Sequence, residues 1–362
     1  MMIYLAFVVL FVAFLFYNID IFGFVSCLFT SYLKWNGHSP LLLEQSETSI
    51  LSNVKMPYER FPVSIGDCVG AEDKIWTLSM NTESKNVPLV MIHGFAAGIA
   101  FWLMNLEELS ADRPLYAIDL LGFGRSSRPT FSTDAETIEE QFVDSIDKWR
   151  ELMKIESMIL LGHSFGGFLA TSYAMKYSNR VEHLIAADPW GYTGARDLSG
   201  DPLWRRSLIK VFQNMAPLAI IRAAGPYGEW LVKKARKDIL RKYEKAVEDQ
   251  NIIAQYIYQC NSGNPSGEEG FRNLLHGGPW AKHPIGDRVL IGMQDDIPIT
   301  FLYGEKSWMD NKYGEIIKAA RPNSYTQIEI VPYAGHHVYS DNALDFNQFV
   351  NEACKVLKSK TV

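Results

Sequence analysis

Cysteine is scarce in this chain. Four thiols (Cys27, Cys68, Cys260, Cys354) are scattered over 362 residues with no metal-ligand spacing, which excludes a dense disulfide framework or a zinc-type site. A basic excess is missing as well: the formal net charge is −6, whereas a nucleic-acid binder shows a basic face. No Asn-x-Ser/Thr sequon with a permitted central residue occurs, which weighs against passage through the secretory lumen. Internal repeats and low-complexity tracts are also lacking.

Charge is absent altogether from the first nineteen residues, "MMIYLAFVVLFVAFLFYNI", and "IFGFVSCLFTSYL" stays uncharged up to Lys34. Nineteen residues of helix reach roughly 28 Å, about the thickness of a hydrocarbon core. A cleaved signal peptide would carry a basic start and a small-residue cleavage site, and neither is evident. Residues 1–34 are therefore expected to form a hydrophobic membrane anchor. A spanning helix and a shallow hairpin both fit, because Asn18, Asp20 and Gly23 interrupt the run. Residues 35–60 are mixed and polar and read as a linker.

What is present is a rhythm. The alternation in "FPVSI" and "KIWTLSM" predicts an antiparallel hairpin. Short apolar runs then recur at 87–94, 114–122, 157–164, 182–189, 297–304 and 327–336. Between the second and third, Ile138, Phe142, Ile146, Trp149 and Leu152 repeat at helical spacing. Continuous apolar strands separated by helices predict an α/β fold, with a mostly parallel central sheet covered on both faces. The rhythm fails over 191–285, which reads as an inserted helical cap dividing the core into 60–190 and 286–358. Within it "WLVKKARKDILRKY" sets six basic residues beside one acidic one, either a solvated helix face or a contact for anionic lipid headgroups.

One hydroxyl is framed by three glycines in "LLGHSFGGFLATSY": Gly162-His163-Ser164-Phe165-Gly166-Gly167. An apolar strand precedes it and a helix follows, the context in which Gly-x-Ser-x-Gly turns a serine outward at the carboxyl end of a sheet. Ser164 is the candidate nucleophile. His336, in "AGHHVYSD" after the last strand, is the candidate base, since neutral imidazole accepts and returns a proton near neutral pH. His337 is expected to point elsewhere.

Negative charge on a carbonyl oxygen would need backbone N–H donors, expected from Phe165 and from Phe95 in the loop "HGFAAG", which His93 and Gly94 would shape. For the acid, "YGEKSWMD" offers Glu305 and Asp310, while a Gly-x-x-Asp spacing would land on Ser307. Asp310 is the expected acid and Asp188, ending "LIAAD", the runner-up. Asp295 and Asp296 precede their strand and lie at the wrong end. "DLLGFGRSS" imitates the start of a dinucleotide fingerprint, but Ser127 stands at the third glycine position, so it reads as a structural loop. No metal or organic cofactor is implied.

The strings "HGFAAGIAFW", "DLLGFGRSSRP", "LLGHSFGGFLATSYAMKY", "DPWGY", "ITFLYGEKSWMD" and "GHHVYSDNALDFNQFV" together resemble the α/β-hydrolase superfamily, and more narrowly its abhydrolase-domain protein 4 and 5 subfamily. The resemblance covers roughly residues 60–355. It implies a serine carboxylic-ester hydrolase of lipase or lysophospholipase type, acting on (lyso)phospholipids or N-acyl phospholipids. The alternative it implies is a lipid-droplet coactivator of a triglyceride lipase. That branch typically carries Asn where this chain has Ser164. The subfamily's His-x-x-x-x-Asp, here His336 and Asp341, is associated with lysophosphatidic acid acyltransfer, although Asp341 can equally cap the following helix. The expected partners are a lipid substrate, a membrane or droplet surface and, in the alternative, a triglyceride lipase. The expected location is the endoplasmic reticulum membrane or a lipid droplet, with the catalytic domain on the cytosolic side.

Overall fold

The structure is a computed structural model that describes residues 37–195, 200, 202, 218–276 and 278–358. The expected anchor, and part of the expected cap, lie outside these residues. Among the described residues no helix is long and apolar enough to cross a membrane.

Among the described residues ten strands run β1 Tyr58–Gly66, β2 Asp73–Met80, β3 Leu89–Ile92, β4 Leu115–Ile118, β5 Met158–His163, β6 Val181–Ala187, β7 Leu275–His276, β8 Trp280–Ala281, β9 Ile299–Gly304 and β10 Thr326–Val331. Eight form one sheet in the order β1-β2-β4-β3-β5-β6-β9-β10, and β7-β8 make a separate two-stranded ribbon. The hairpin β1/β2 is antiparallel and joins β4 antiparallel, whereas β4, β3, β5, β6, β9 and β10 pair in parallel. The hairpin and the six expected parallel strands are all present.

The continuous apolar runs follow from burial on both sides of the sheet. In β5, Met158 and Leu160 enter one core cluster and Ile159 and Leu161 the other. Strand β3 repeats this, with Val90 and Ile92 on one face and Leu89 and Met91 on the opposite one. The first face is covered by the helices Ala135–Leu152 and Phe165–Lys176. In the former, Ile138, Phe142, Ile146 and Trp149 are fully buried, each contributing about 1.5–3 kcal/mol. Leu152, expected on the same stripe, is exposed in the last turn.

Helix Pro40–Leu51 corrects the expected linker. Ser39 caps it by accepting the Leu42 N–H, and Pro40 supplies a preset φ at its first turn. Its buried stripe is partly polar. Glu47 has no exposure and accepts from the Arg60 and Arg125 guanidinium groups (2.7 and 3.1 Å) and the Trp76 indole (3.0 Å). Burial pushes the Glu47 carboxyl pKa up, and the two cations oppose that shift.

Helices also fill the described stretch between β6 and β9. Gly228–Ala235, Lys237–Lys242, Gln250–Ser262 and Ser266–Leu274 are the longest before the ribbon. They lie over the carboxyl ends of the parallel strands, where ligand sites of open α/β sheets occur.

Candidate active site

Ser164 follows β5 directly and precedes the helix Phe165–Lys176, with φ 54° and ψ −116°. A non-glycine residue in such a conformation costs on the order of 1–3 kcal/mol and must be held by its surroundings. Here the Ser164 N–H donates to the Ala187 carbonyl (3.0 Å), and its own carbonyl accepts from Gly167, Phe168 and Trp190. The glycines are required by close approach. A Cβ on Gly162 would lie 2.1 Å from the Gly166 carbonyl oxygen, and one on Gly166 would lie 2.4 Å from that of Ile92.

His336 lies in the loop after β10. Its Nε2 is 2.9 Å from Ser164 Oγ, and its Nδ1 is 2.6 Å from Asp188 Oδ2. A carboxylate only accepts, so it fixes the proton on Nδ1 and turns the Nε2 lone pair to the serine hydroxyl. The loop is pinned from beneath by His163, whose Nε2–H donates to the His336 carbonyl at 2.8 Å. Burial and the neighbouring His336 and His337 rings push the His163 pKa well down.

The acid seat differs from the expectation. Asp310 is exposed, and among the described residues its carboxylate accepts only the Lys312 N–H (2.9 Å). Asp188, directly after β6, holds the imidazole instead. It is fully buried, has φ 43°, and also accepts the Gly304 N–H (3.1 Å) and the Ser307 hydroxyl (2.5 Å). The reason lies in the sheet order. Strands β6 and β9 are neighbours, and the Asp188 N–H pairs with the Leu302 carbonyl (2.7 Å). A carboxylate from the end of β6 therefore reaches the place that a residue after β9 would fill. Ser307, at the position where Gly-x-x-Asp would put a carboxylate, becomes its hydrogen-bond donor. Glu305 turns away and accepts the Tyr333 N–H (2.6 Å).

The loop after β3 closes the other side. A Cβ on Gly94 would stand 3.1 Å from Ser164 Cβ, so this backbone lies against the serine. His93 anchors the loop: its Nδ1–H donates to the Gly94 carbonyl (2.7 Å), and its Nε2 accepts the Leu120 N–H (3.1 Å). Burial drives its pKa down to about 4 and keeps the ring neutral. The Phe165 N–H heads its helix and has no intrahelical acceptor. Among the described residues neither it nor the Phe95 N–H donates to a protein atom. Two backbone donors thus remain on either side of Ser164.

A cavity of about 1260 Å³ opens onto this group, walled largely by apolar side chains such as Phe95, Trp190, Leu231, Ile239 and Trp308. Asp341 also lines it. It does not cap the next helix, Ala343–Ala353, whose cap is Asn342. Instead Asp341 accepts the Gly335 N–H and pairs with Lys242 (both 2.9 Å). Expectation and structure agree in bringing Ser164 and His336 together. The Ser307 donor and the His163 brace were not anticipated, since residues distant in sequence make both contacts. Among the described residues no group of three or more His, Cys, Asp or Glu side chains is placed to hold a metal ion.

A family described as alpha/beta hydrolase fold matches residues 87–343. The mouse (Mus musculus) protein named (Lyso)-N-acylphosphatidylethanolamine lipase is 46% identical over 288 residues, 78% of this chain and 84% of its own. Mouse 1-acylglycerol-3-phosphate O-acyltransferase ABHD5 is 45% identical over 318 residues, 86% and 89% of the two chains. Solved structures share the fold at low identity. Carboxylesterase CesB from Bacillus subtilis superposes with TM-score 0.60 at 18% identity, covering 86% of this chain and 96% of its own. A bacterial membrane phospholipase A gives TM-score 0.61 at 18% identity, covering 87% and 91%. The matched span, the sheet order and the level of identity establish that the chain belongs to the α/β-hydrolase family, in the group that includes (lyso)-N-acylphosphatidylethanolamine lipase and ABHD5.

Proposed function

We propose that the protein is a serine hydrolase that cleaves fatty acyl esters of (lyso)phospholipids or N-acyl phospholipids at a membrane or lipid-droplet surface. The observation that carries this reading is the unbroken relay Ser164 Oγ–His336–Asp188 opening into the apolar cavity. His336 Nε2 takes the hydroxyl proton as Ser164 Oγ attacks the ester carbonyl. The tetrahedral oxyanion is held by the Phe165 and Phe95 N–H groups. The proton then passes from His336 to the leaving alcohol, and water repeats the sequence on the acyl-serine. The Asp188 carboxylate accepts from Nδ1 and steadies the imidazolium; Asp310 has no part in the chemistry.

The lipid class is supported by the lipase name of the mouse relative and by the apolar wall. The other relative's name supports a second reading, in which the acyl-serine is intercepted by a lysophospholipid hydroxyl instead of water. The uncharged residues 1–19 support an anchor that delivers substrate laterally. That route avoids moving an acyl chain through water, at about 0.8 kcal/mol per CH₂. Turnover of a lysophospholipid, N-acyl phospholipid and acylglycerol panel by full-length protein, beside Ser164→Ala, tests the reading. Loss of all acyl release in the variant is expected. Equal release by both proteins removes Ser164 from the mechanism.

A further inference from the structure

The basic stretch read in sequence as a solvated face or a lipid contact is not wholly turned outward. Arg236 links Gly228–Ala235 to Lys237–Lys242, and both Arg236 and Lys242 line the same cavity as Ser164, His336 and Trp308. The Lys242 side chain is only 14% exposed. Its ammonium pairs with Asp341, whose second oxygen is committed to the Gly335 N–H. Arg236 is 40% exposed and donates two hydrogen bonds to Asp238 (3.1 and 3.0 Å), which lines the cavity as well. Burial, then Lys242, the His336 ring and Arg236, hold the His337 pKa well down.

Asp341 offsets the Lys242 charge, and the ammonium brings two further N–H donors into an apolar cavity. A substrate that only filled the cavity with hydrocarbon would gain nothing from them. The arrangement suits a ligand with two unlike ends, an acyl chain against the apolar wall and an anion against the cations. Beyond its two bonds to Asp238 the guanidinium keeps further N–H groups, and beyond its bond to Asp341 the ammonium keeps two, so both cations have donors for the several oxygens of a phosphate.

Resting on the hydrolase reading above, we infer that Arg236 and Lys242 form the subsite for the phosphate of a glycerophospholipid whose acyl ester lies at Ser164. They make the site prefer phosphate-bearing acyl esters over neutral acylglycerols. Asp341 holds Lys242 at the cavity wall and so sets where the phosphate sits.

The test uses the full chain carrying Ser164→Ala and non-cleavable ether lipids in neutral-detergent micelles at fixed mole fraction, so that binding is read without turnover. The probes are 1-O-hexadecylglycerol 3-phosphate, its phosphate-free counterpart 1-O-hexadecylglycerol, and water-soluble glycerol 3-phosphate as competitor. The phosphate ether should bind about tenfold more tightly than the neutral ether, as expected for charge-assisted hydrogen bonds. Adding Lys242→Gln or Arg236→Gln should bring that ratio towards one, and Lys242→Arg should restore it. Glycerol 3-phosphate should compete only at concentrations far above those of the ether lipid. A ratio of one in the parent, a ratio unchanged by both glutamine variants, or equal loss for both lipids would overturn the inference. So would equally strong competition by glycerol 3-phosphate, which would assign the site to a soluble phosphate. Failure of the hydrolase reading shows separately, as absence of acyl release by the chain that retains Ser164.

Discussion

Asp188→Asn isolates the acid. In the native site the Asp188 carboxylate takes three donors, from Gly304, Ser307 and His336, and is closed to solvent. An asparagine of the same shape keeps one oxygen for the Gly304 N–H, so the strand-end geometry survives. Its amide donates where the carboxylate accepted, so His336 must present a lone pair at Nδ1 and carry its proton on Nε2. That proton then faces the Ser164 hydroxyl, 2.9 Å away, and the ring can no longer receive one from it. The wrong tautomer in such a relay costs about 10⁴-fold in turnover, equivalent to about 5 kcal/mol of barrier. Asp310→Asn touches one exposed backbone contact and should change the rate by less than about threefold, the range of ordinary surface substitutions. Release of p-nitrophenol from short-chain esters measures both, with thermal unfolding confirming that each variant is folded. A larger loss in Asp310→Asn than in Asp188→Asn would refute the reasoning and move the acid to the end of β9.

Gly162→Ala should lower stability by about 1–3 kcal/mol or prevent folding, because the new methyl meets the Gly166 backbone and not a side chain that can move; the unfolding midpoint measures it. Ser307→Ala should slow ester hydrolysis while leaving Asp310→Asn-like stability, since Asp188 loses a hydroxyl donor but keeps the Gly304 N–H; unchanged kinetics would show that this bond does not matter. His183, buried between the Thr300 hydroxyl and the Val356 carbonyl, has its pKa lowered by burial to about 4. Its folded pKa is below the unfolded one, so its contribution is full above about pH 6.5 and is lost as pH falls towards about 4. The stability gap between native protein and His183→Gln should therefore shrink on acidification across that window, and denaturant midpoints from pH 7 to 4 measure it.

Much of this was legible in the chain because period and position carry it. Strands buried on both faces are continuously apolar, and the amphipathic spacing of Ile138, Phe142, Ile146 and Trp149 marks a covering helix. Ser164 and His336 were legible because each lies next to a strand end. The acid was not, because spacing along the chain cannot report that β6 and β9 are neighbours, nor that a left-handed φ at Asp188 aims its carboxylate towards His336. Helix Pro40–Leu51 was hidden by its own buried polar residues: Ser46 and Glu47 face inward beside Leu43 and Ile50, so the apolar stripe is broken. The Arg236 and Lys242 placements escaped notice because a basic helical run looks the same whether its cations face water or a cavity.

The central claim is that the Ser164 oxygen becomes covalently acylated. Full-length protein treated with a long-chain alkyl fluorophosphonate, then digested and read by mass spectrometry, tests this most directly. The account predicts one adduct per chain on the peptide carrying Gly162-His163-Ser164, none in Ser164→Ala, and strongly slowed labelling in Asp188→Asn. Labelling of another residue, or equal labelling of native protein and Ser164→Ala, would contradict it.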